Sequence, residues 1–347
     1  MQIDEEQVAA FVQRIAEEVN RPATDAQLDF DPKTNQVIVL RPSQPGQRLD
    51  TTAAVAAIEA ALSAAIPQAE ASVADRAMAA PGEIMLPVTP ISPRIDSTRI
   101  AQMGIVEQIS EGTTYFKGSS PARVHNIVLS AGKLLGAVIP PGEEFSFNSI
   151  VGDVTAENGF VDSLIIVGDR TEMGVGGGVC QVSTTAFRAA FWAGFPIIER
   201  VPHSYWVSWY NEPGLDATIY TPDVDFRFRN DTAHYLLIQP EVDTAAGRIT
   251  VHFYGTRPDR TVEMAKPVRS NLKPAPKPFY REDATLPAGT IKQVDWAKEG
   301  MDVTVNRVIT YGDGQVQQDK FVSRYQPWQA VYRYGPGTKL PVGAVTP

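Results

Sequence analysis

The chain has 347 residues and a formal net charge of −9, with 43% hydrophobic and 20% charged residues. The length allows two or three domains of ordinary size, and the composition fits a folded globular protein. The acidic chain has no run of lysines and arginines to neutralise phosphates and no segment of about 18 consecutive apolar residues, so neither a nucleic-acid partner nor a direct membrane segment is expected.

The first part of the chain, residues 1–90, predicts a small α+β module. Apolar residues recur at helical spacing over residues 4–20, and the segment 25–40 contains two alternating stretches that predict paired strands. An alanine-rich stretch predicts a second helix over about 51–65. The prolines and glycine of residues 81–95 then predict a linker.

The middle of the chain, residues 95–260, predicts a mixed α/β domain. A helical pattern begins at Arg123, and three later segments that end near Phe228, Gln239 and Tyr254 have the composition of strands. The unusual residues of the sequence are concentrated in this domain.

A small antiparallel β module is predicted over residues 284–337, after a second linker of prolines and lysines at 266–283. Its clearest strands, 303–311 and 320–325, flank the turn Gly312-Asp313-Gly314. The fold class expected for the whole chain is therefore multidomain α+β, with a small α+β module, a mixed α/β domain and a small β module.

The one cysteine of the chain, Cys180, lies in a glycine-rich loop that precedes a helical pattern. The glycines allow backbone conformations closed to other residues, and the apolar spacing after Cys180 predicts a helix that stops at Gly194. Ser183 or Thr184 is expected to cap the helix start. Cys180 would then precede a helix N-terminus, whose field favours the reactive thiolate, with loop amides nearby to stabilise an oxyanion.

A nucleophilic cysteine needs a base, and His203 is the best-placed candidate because a helix and a turn can return the chain to Cys180. Asp216 is the candidate that orients the second ring nitrogen of His203, and Tyr205 is a further alternative base. Ordinary alternatives stay open: a lone cysteine is commonly a buried small hydrophobe, and a lone histidine commonly belongs to the core or the surface. The four histidines show no short metal-ligand spacing, so neither a metal nor a cofactor is expected.

Substrate contacts are expected from the glycine loop, the helix start and the segment after the histidine. These residues are Gly177, Gly178, Gln181, Ser183, Ser204, Tyr205 and Trp206. The aromatic residues Trp206, Trp209 and Tyr210 belong either to the core or to the wall of a cleft for a sugar or a peptide.

These segments together resemble the VanW family, which takes its name from an accessory protein of vancomycin-resistance clusters. The resemblance runs over about residues 112–256 and rests on ordered blocks that include Gly176-Gly-Gly-Val-Cys-Gln-Val-Ser-Thr-Thr, His203-Ser, Asp216-Ala-Thr and Asp225-Phe-Arg-Phe-Arg-Asn. The first module resembles the peptidoglycan-binding domain often found before VanW domains. The last module resembles the small extracellular β module that often follows them.

The resemblance implies a peptidoglycan-modifying protein in which Cys180 is the nucleophile of an L,D-transpeptidase-like reaction on stem peptides, making 3→3 cross-links. It also implies an extracellular, cell-wall-associated location. Since the acidic start is not laid out like a signal peptide, we expect an N-terminal membrane anchor that lies outside this sequence. The alternative is a non-catalytic module that binds peptidoglycan or a glycopeptide, in which Cys180 is a packing residue; a purely structural surface protein is a third interpretation.

Overall fold

In a computed structural model of the chain, which describes residues 3–65, 83–167 and 170–347, two compact units are distinguished. The first comprises Met1–Leu28 and Val39–Gln102, and the second comprises Asp29–Ile38 and Met103–Pro347. The α-helices lie before residue 193 and mostly antiparallel strands occur throughout, which confirms the predicted multidomain α+β class.

Two helices packed on each other form the core of the first unit, as their apolar spacing predicts. The N-terminal elements are α1 (Glu5–Val19), β1 (Gln27–Asp31), β2 (Gln36–Arg41), β3 (Gly46–Leu49), α2 (Thr51–Ala65) and β4 (Val88–Ile91). Helix α1 begins at the cap residue Asp4, whose side chain accepts a hydrogen bond from the backbone of Gln7. It buries Val8 and Val12 in a cluster that also contains Ile58 of α2.

Both predicted linkers contain strands where the structure describes them. Residues 81 and 82 lie outside the described residues, but β4 falls inside the first predicted linker and pairs antiparallel with β3. Pro90 is tolerated there because β4 is an edge strand of a two-stranded sheet. The second predicted linker contains Val268–Lys273 and Phe279–Glu282, both of which are strands, with its prolines before and between them.

A four-stranded antiparallel sheet covered by two helices forms the centre of the second unit. The sheet order is β5-β13-β12-β6, and a smaller sheet has the order β10-β11-β7. The elements are β5 (Glu107–Tyr115), α3 (Pro121–Leu134), β6 (Ala137–Ile139), β7 (Glu144–Ser146), α4 (Phe147–Val151), β8 (Asp162–Val167), β9 (Arg170–Val175), α5 (Val179–Trp192), β10 (Ile197–Glu199), β11 (Arg227–Arg229), β12 (Leu236–Asp243) and β13 (Arg248–Gly255).

Helix α5 lies in the middle of this core. Phe187 and Phe191 of this helix are fully buried, and Phe187 packs edge-on against Phe226, which directly precedes β11. Each fully buried phenylalanine contributes about 1.5–3 kcal/mol to folding. Gly112 of β5 lets the helix approach closely, because a Cβ atom there would lie 2.2 Å from the carbonyl oxygen of Thr185. The core therefore fixes the position of α5 and of the residues at its start.

The remaining strands form two small sheets, and residues of one of them, such as Val303 and Phe321, pack in the same core. They are β14 (Arg260–Met264), β15 (Val268–Lys273), β16 (Phe279–Glu282), β17 (Ile291–Asp295), β18 (Gly300–Tyr311), β19 (Val316–Tyr325) and β20 (Val331–Tyr334). Strands β18 and β19 form the predicted hairpin, with Thr310 opposite Val316. Within the described ranges, none of the helices combines the length and the apolar composition that a membrane crossing requires.

A buried arginine joins the β18–β19 hairpin to the end of α5. Arg307 donates hydrogen bonds to the carbonyl oxygens of Phe191 (2.9 Å) and Phe195 (3.0 Å), and its charge is balanced by Asp319. Met301, Val303 and Tyr325 of the hairpin belong to the same buried cluster as α5. The C-terminal strands are thus part of the second compact unit, whereas the sequence predicts a separate module.

Candidate active site

Cys180 is the second residue of α5 and is half-buried. The helix cap is Gly178, with φ of 115°, and a Cβ atom there would lie 2.8 Å from the carbonyl oxygen of Arg123, so only glycine fits. The thiol lies 3.5 Å from the hydroxyl of Thr218 and 3.7 Å from the carbonyl oxygen of Ile219. Because the first turn of a helix exposes amide dipoles, this position favours a thiolate.

The predicted cap of this helix is wrong. The helix starts at Val179, so Ser183 and Thr184 lie inside it. Both hydroxyls donate instead to the carbonyl oxygen of Ala217, at 2.6 and 3.2 Å. These bonds hold the segment that carries Asp216 against α5.

His203 lies beside the thiol and is 4% exposed. Its Nδ1 lies 2.6 Å from Oδ2 of Asp216, and its backbone N–H donates to the same oxygen at 2.8 Å. The side chain also interacts electrostatically with that of Cys180. Because Nδ1 faces the carboxylate, Nε2 is the nitrogen left for the thiol, which gives the order thiol, imidazole, carboxylate. The structure thus brings the three residues of the predicted site together.

Asp216 is buried and accepts hydrogen bonds from three side chains. Besides His203, Arg200 donates through Nη2 to Oδ1 at 3.1 Å, and the hydroxyl of Tyr325 donates to Oδ1 at 2.5 Å. Tyr325 also accepts from the backbone N–H of Gly214 at 2.7 Å. Such charge-assisted bonds offset the cost of burying the carboxylate and fix its orientation.

The protonation states follow from these contacts. Burial raises the pKa of the Cys180 thiol, but the hydrogen bond and the charge of His203 outweigh burial and bring that pKa below its ordinary value. Burial lowers the pKa of His203, yet the hydrogen bonds to Asp216 and Cys180 raise it to about 9. Burial raises the pKa of Asp216, but the side-chain hydrogen bond from His203 outweighs it. Together with the charges of His203 and Arg200 and the bond from the backbone N–H of His203, it holds that pKa well below the usual range. These shifts all favour the charged forms, a thiolate and an imidazolium beside an ionised carboxylate.

A cationic side chain completes the surroundings of the thiol. Arg123, in the first turn of α3, donates to the hydroxyl of Ser119 and to Oε1 of Gln181, both at 2.7 Å. Its guanidinium lies 5.1 Å from the ring centre of Trp209, which is 38% exposed. This cluster forms a wall of the site that contacts solvent.

The residues predicted for substrate contact are divided between the interior and the site wall. Gln181 and Ser183 are fully buried and Gly177 is buried, so these three offer no surface to a substrate in this structure. Gln181 instead donates to Thr114 at 2.7 Å. Gly178 borders the thiol, and Ser204 is exposed.

The aromatic residues after His203 lie against the C-terminal strands. Tyr205 stacks on Trp328 with ring centres 3.9 Å apart, and burial raises its pKa to about 12. Trp206 is half-buried and lies near the cationic groups of Arg269 and Lys298. A phenol whose pKa is raised in this way is not deprotonated near neutral pH, so the prediction of Tyr205 as an alternative base loses support.

Two sequence families match parts of this chain. Residues 122–254 match the family model described as "VanW like protein", and residues 1–69 match the one described as "Putative peptidoglycan binding domain". The resemblances of the middle domain and of the first module are confirmed, and that of the last module stays a prediction. Residues 122–254 are therefore a VanW-like domain.

Two curated proteins are similar over this region. The "Uncharacterized protein YoaR" of Bacillus subtilis is 41% identical over 159 residues, which are 46% of this chain and 52% of that protein. The "Vancomycin B-type resistance protein VanW" of Enterococcus faecalis is 34% identical over 116 residues, 32% of this chain and 42% of that protein. The chain thus spans about half the length of the curated relatives it matches.

Two solved structures also match part of the chain. They are the "Crystal structure of HP0197-G5", which covers 22% of this chain and 97% of its own at 22% identity, and the "IgA1 Protease G5 domain structure", which covers 24% and 100% at 16% identity. Their TM-scores are 0.12 and 0.15. Similarity at that level supports no statement about the fold.

We expect Cys180 to react with iodoacetamide faster than free cysteine at pH 6–7, because its lowered pKa leaves more thiolate. A second change in rate is expected near pH 9, where His203 loses its proton. His203→Ala should move the thiol inflection upward, towards or beyond about 8.5, since burial then acts without the imidazolium. Intact-mass spectrometry against time measures this directly, because the chain has one cysteine.

The matched control is His125→Ala, which removes an exposed histidine bonded to the carbonyl oxygen of Gly159. It should leave the pH profile unchanged. A thiol that is labelled only after denaturation, or a profile that His203→Ala does not move, contradicts the ion pair.

Tyr325→Phe should lower the free energy of unfolding by about 1.5–3 kcal/mol, because the charged Asp216 and the amide of Gly214 both lose a buried partner. Urea unfolding followed by circular dichroism measures the change. Tyr220→Phe, which removes the hydroxyl of a tyrosine that is 68% exposed, is the control and should be nearly neutral. Equal values for the two variants would show that the hydroxyl of Tyr325 does not support the site.

Proposed function

We propose that this chain acts on bacterial peptidoglycan through a cysteine-dependent acyl transfer, with Cys180 as nucleophile, His203 as acid and base, and Asp216 as the residue that orients His203. The observation that carries the proposal is the series Cys180–His203–Asp216 at the first turn of a buried helix, in which His203 is hydrogen-bonded to Asp216 and interacts with the thiol. The VanW-like match around it and the peptidoglycan-binding match before it support a cell-wall substrate. The acceptor of the acyl group then decides between cross-linking and hydrolysis.

In the first half-reaction the Cys180 thiolate attacks the carbonyl carbon of the third stem-peptide residue, a diamino acid. A carbon–sulfur bond forms, the peptide C–N bond breaks, and the His203 imidazolium gives its proton to the departing amine of the terminal D-alanine. The products are a thioester on Cys180, a neutral imidazole and free D-alanine. The ionised Asp216 stabilises the imidazolium before this transfer.

The negative oxygen formed during the attack needs hydrogen-bond donors. The backbone N–H groups of Val179 and Gln181 donate to the carbonyl oxygens of Gly176 and Gly178. The N–H of Cys180 itself makes no backbone hydrogen bond within the described ranges, as is common in the first turn of a helix. This N–H is therefore available to bind the oxyanion next to the attacking sulfur.

In the second half-reaction the side-chain amine of a neighbouring stem attacks the thioester. His203 takes the proton of that amine, the new amide bond forms, and Cys180 leaves as a thiolate. The result is a 3→3 cross-link, and one nucleophile serves both steps. With water in place of the amine, the same steps release a tripeptide stem.

Peptidoglycan lies outside the cytoplasmic membrane, so the proposal includes an extracellular, cell-wall-associated location. The relative of Enterococcus faecalis carries vancomycin resistance in its printed name, which supports a role in cell-wall metabolism. The half-buried thiol, whose pKa His203 lowers, favours the enzyme over the non-catalytic binding module, since a packing cysteine needs no such partner.

The test is incubation of the protein with purified disaccharide-tetrapeptide muropeptides, followed by chromatography and mass spectrometry. We expect loss of D-alanine and formation of cross-linked dimers. Cys180→Ser should abolish both while the protein stays folded, and His203→Ala should slow both by about 10²- to 10⁴-fold.

The products separate the possible outcomes. Dimers identify a transpeptidase, and tripeptide monomers without dimers identify a hydrolase. Muropeptide binding without any product, or a Cys180→Ser protein that still forms dimers, would overturn the cysteine-dependent reaction.

A further inference from the structure

Arg123 is a half-buried cation, and in the described part of the chain no carboxylate forms an ion pair with it. Its hydrogen-bond partners are the neutral side chains of Ser119 and Gln181. Burial lowers its pKa, and the negative charge of a nearby Cys180 thiolate acts in the opposite direction. A cation removed from solvent without a carboxylate partner is unfavourable, so a neutral residue would fill a purely structural position better.

The other buried arginines of the second unit differ from Arg123. Each of three is paired with an aspartate: Arg200 with Asp216, Arg260 with Asp231, and Arg307 with Asp319. Arg188 directs its donors to three backbone carbonyl oxygens, those of Leu215, Thr113 and Tyr210. Arg123 is thus the member of this group on which the Cys180 thiol, and not a carboxylate, is the acidic group that acts.

The position of Arg123 relates this charge to the nucleophile. Its Cγ would lie 3.0 Å from a Cβ atom on Gly178, and its Nη2 lies 2.7 Å from Oε1 of Gln181. Gly178 precedes Cys180 in the sequence and Gln181 follows it, so Arg123 contacts the chain on both sides of the nucleophile. The exposed ring of Trp209 covers one face of the guanidinium, so the cluster is open to a ligand from solvent.

We infer that Arg123 forms a carboxylate-binding subsite beside Cys180, which takes the free C-terminal carboxylate of the residue that leaves during acyl transfer. The planar guanidinium matches a carboxylate in shape and charge. The inference deepens the proposed function and rests on it for the identity of the ligand: in a tetrapeptide stem, the carboxylate of the terminal D-alanine lies one residue beyond the bond that breaks. The subsite makes the protein select chain ends over internal peptide bonds.

Two small alkylating reagents test the subsite without any stem peptide. Iodoacetate carries a carboxylate and iodoacetamide is neutral, and both alkylate Cys180. We expect the ratio of the iodoacetate rate to the iodoacetamide rate to be higher in the native protein than in the urea-denatured chain. Arg123→Gln should lower this ratio by at least about tenfold, the size expected for one close charge pair.

The controls separate Arg123 from the general charge of the site. The imidazolium of His203 attracts iodoacetate in both proteins, so the change in the ratio reports Arg123. Arg248→Gln removes an exposed arginine of β13 and the same unit of charge, and should leave the ratio unchanged. Arg123→Lys keeps the charge and should retain most of the preference. Thermal unfolding of each variant establishes that it is folded.

A native ratio no higher than that of the denatured chain overturns the subsite, whatever the Arg123 variants do. A folded Arg123→Gln protein with an unchanged ratio does the same. If either of these two results is found while the native protein turns over muropeptides normally, the subsite is refuted and the proposed acyl transfer is kept. A lost ratio in Arg123→Gln without turnover by the native protein would keep the anion subsite and refute the stem-peptide substrate. With a stem peptide as ligand, a tetrapeptide should protect Cys180 from iodoacetamide better than its C-terminal amide does.

Discussion

The carboxylate of Asp216 is the group on which the geometry of the site depends. It is buried and ionised, and it is held by Arg200 and His203 of one segment and by Tyr325, which lies 109 residues away. Because an ionised carboxylate in the interior is stable only when its oxygens are satisfied, these donors fix its position. Its position in turn fixes the ring of His203, whose other nitrogen meets the thiol at the start of α5. The active arrangement is therefore a consequence of satisfying one buried charge.

This dependence explains why the C-terminal strands belong to the same compact unit as the VanW-like domain. Tyr325 of β19 supplies one donor to Asp216, and Arg307 of β18 holds the far end of α5. The stacking of Tyr205 on Trp328 adds a third connection near His203. A segment whose sequence resembles a small extracellular β module thus contributes directly to the support of the nucleophile's helix and of the orienting carboxylate.

Much of this architecture could be predicted because it depends on local patterns. Helical periodicity located α1 and α5, and the glycine turn located the β18–β19 hairpin. Cys180, His203 and Asp216 could be proposed from residue chemistry and chain proximity. Tyr325 could not, since it lies 109 residues from Asp216 and its one hydroxyl leaves no pattern in the sequence. The helix cap was missed because Gly178 caps through its backbone, whereas Ser183 and Thr184 have the side chains that usually indicate a cap.

In the proposed reaction Cys180 carries the acyl group between donor and acceptor. Trapping that covalent intermediate is the sharpest test of this role. The native protein is mixed with a disaccharide-tetrapeptide muropeptide, quenched with acid within the first turnover, and examined by intact-protein and peptide mass spectrometry. We expect an adduct with the mass of the muropeptide less one alanine. It should be located on Cys180 and be absent from the Cys180→Ala protein. Products that form with no adduct at any quench time, or an adduct on another residue, would contradict it.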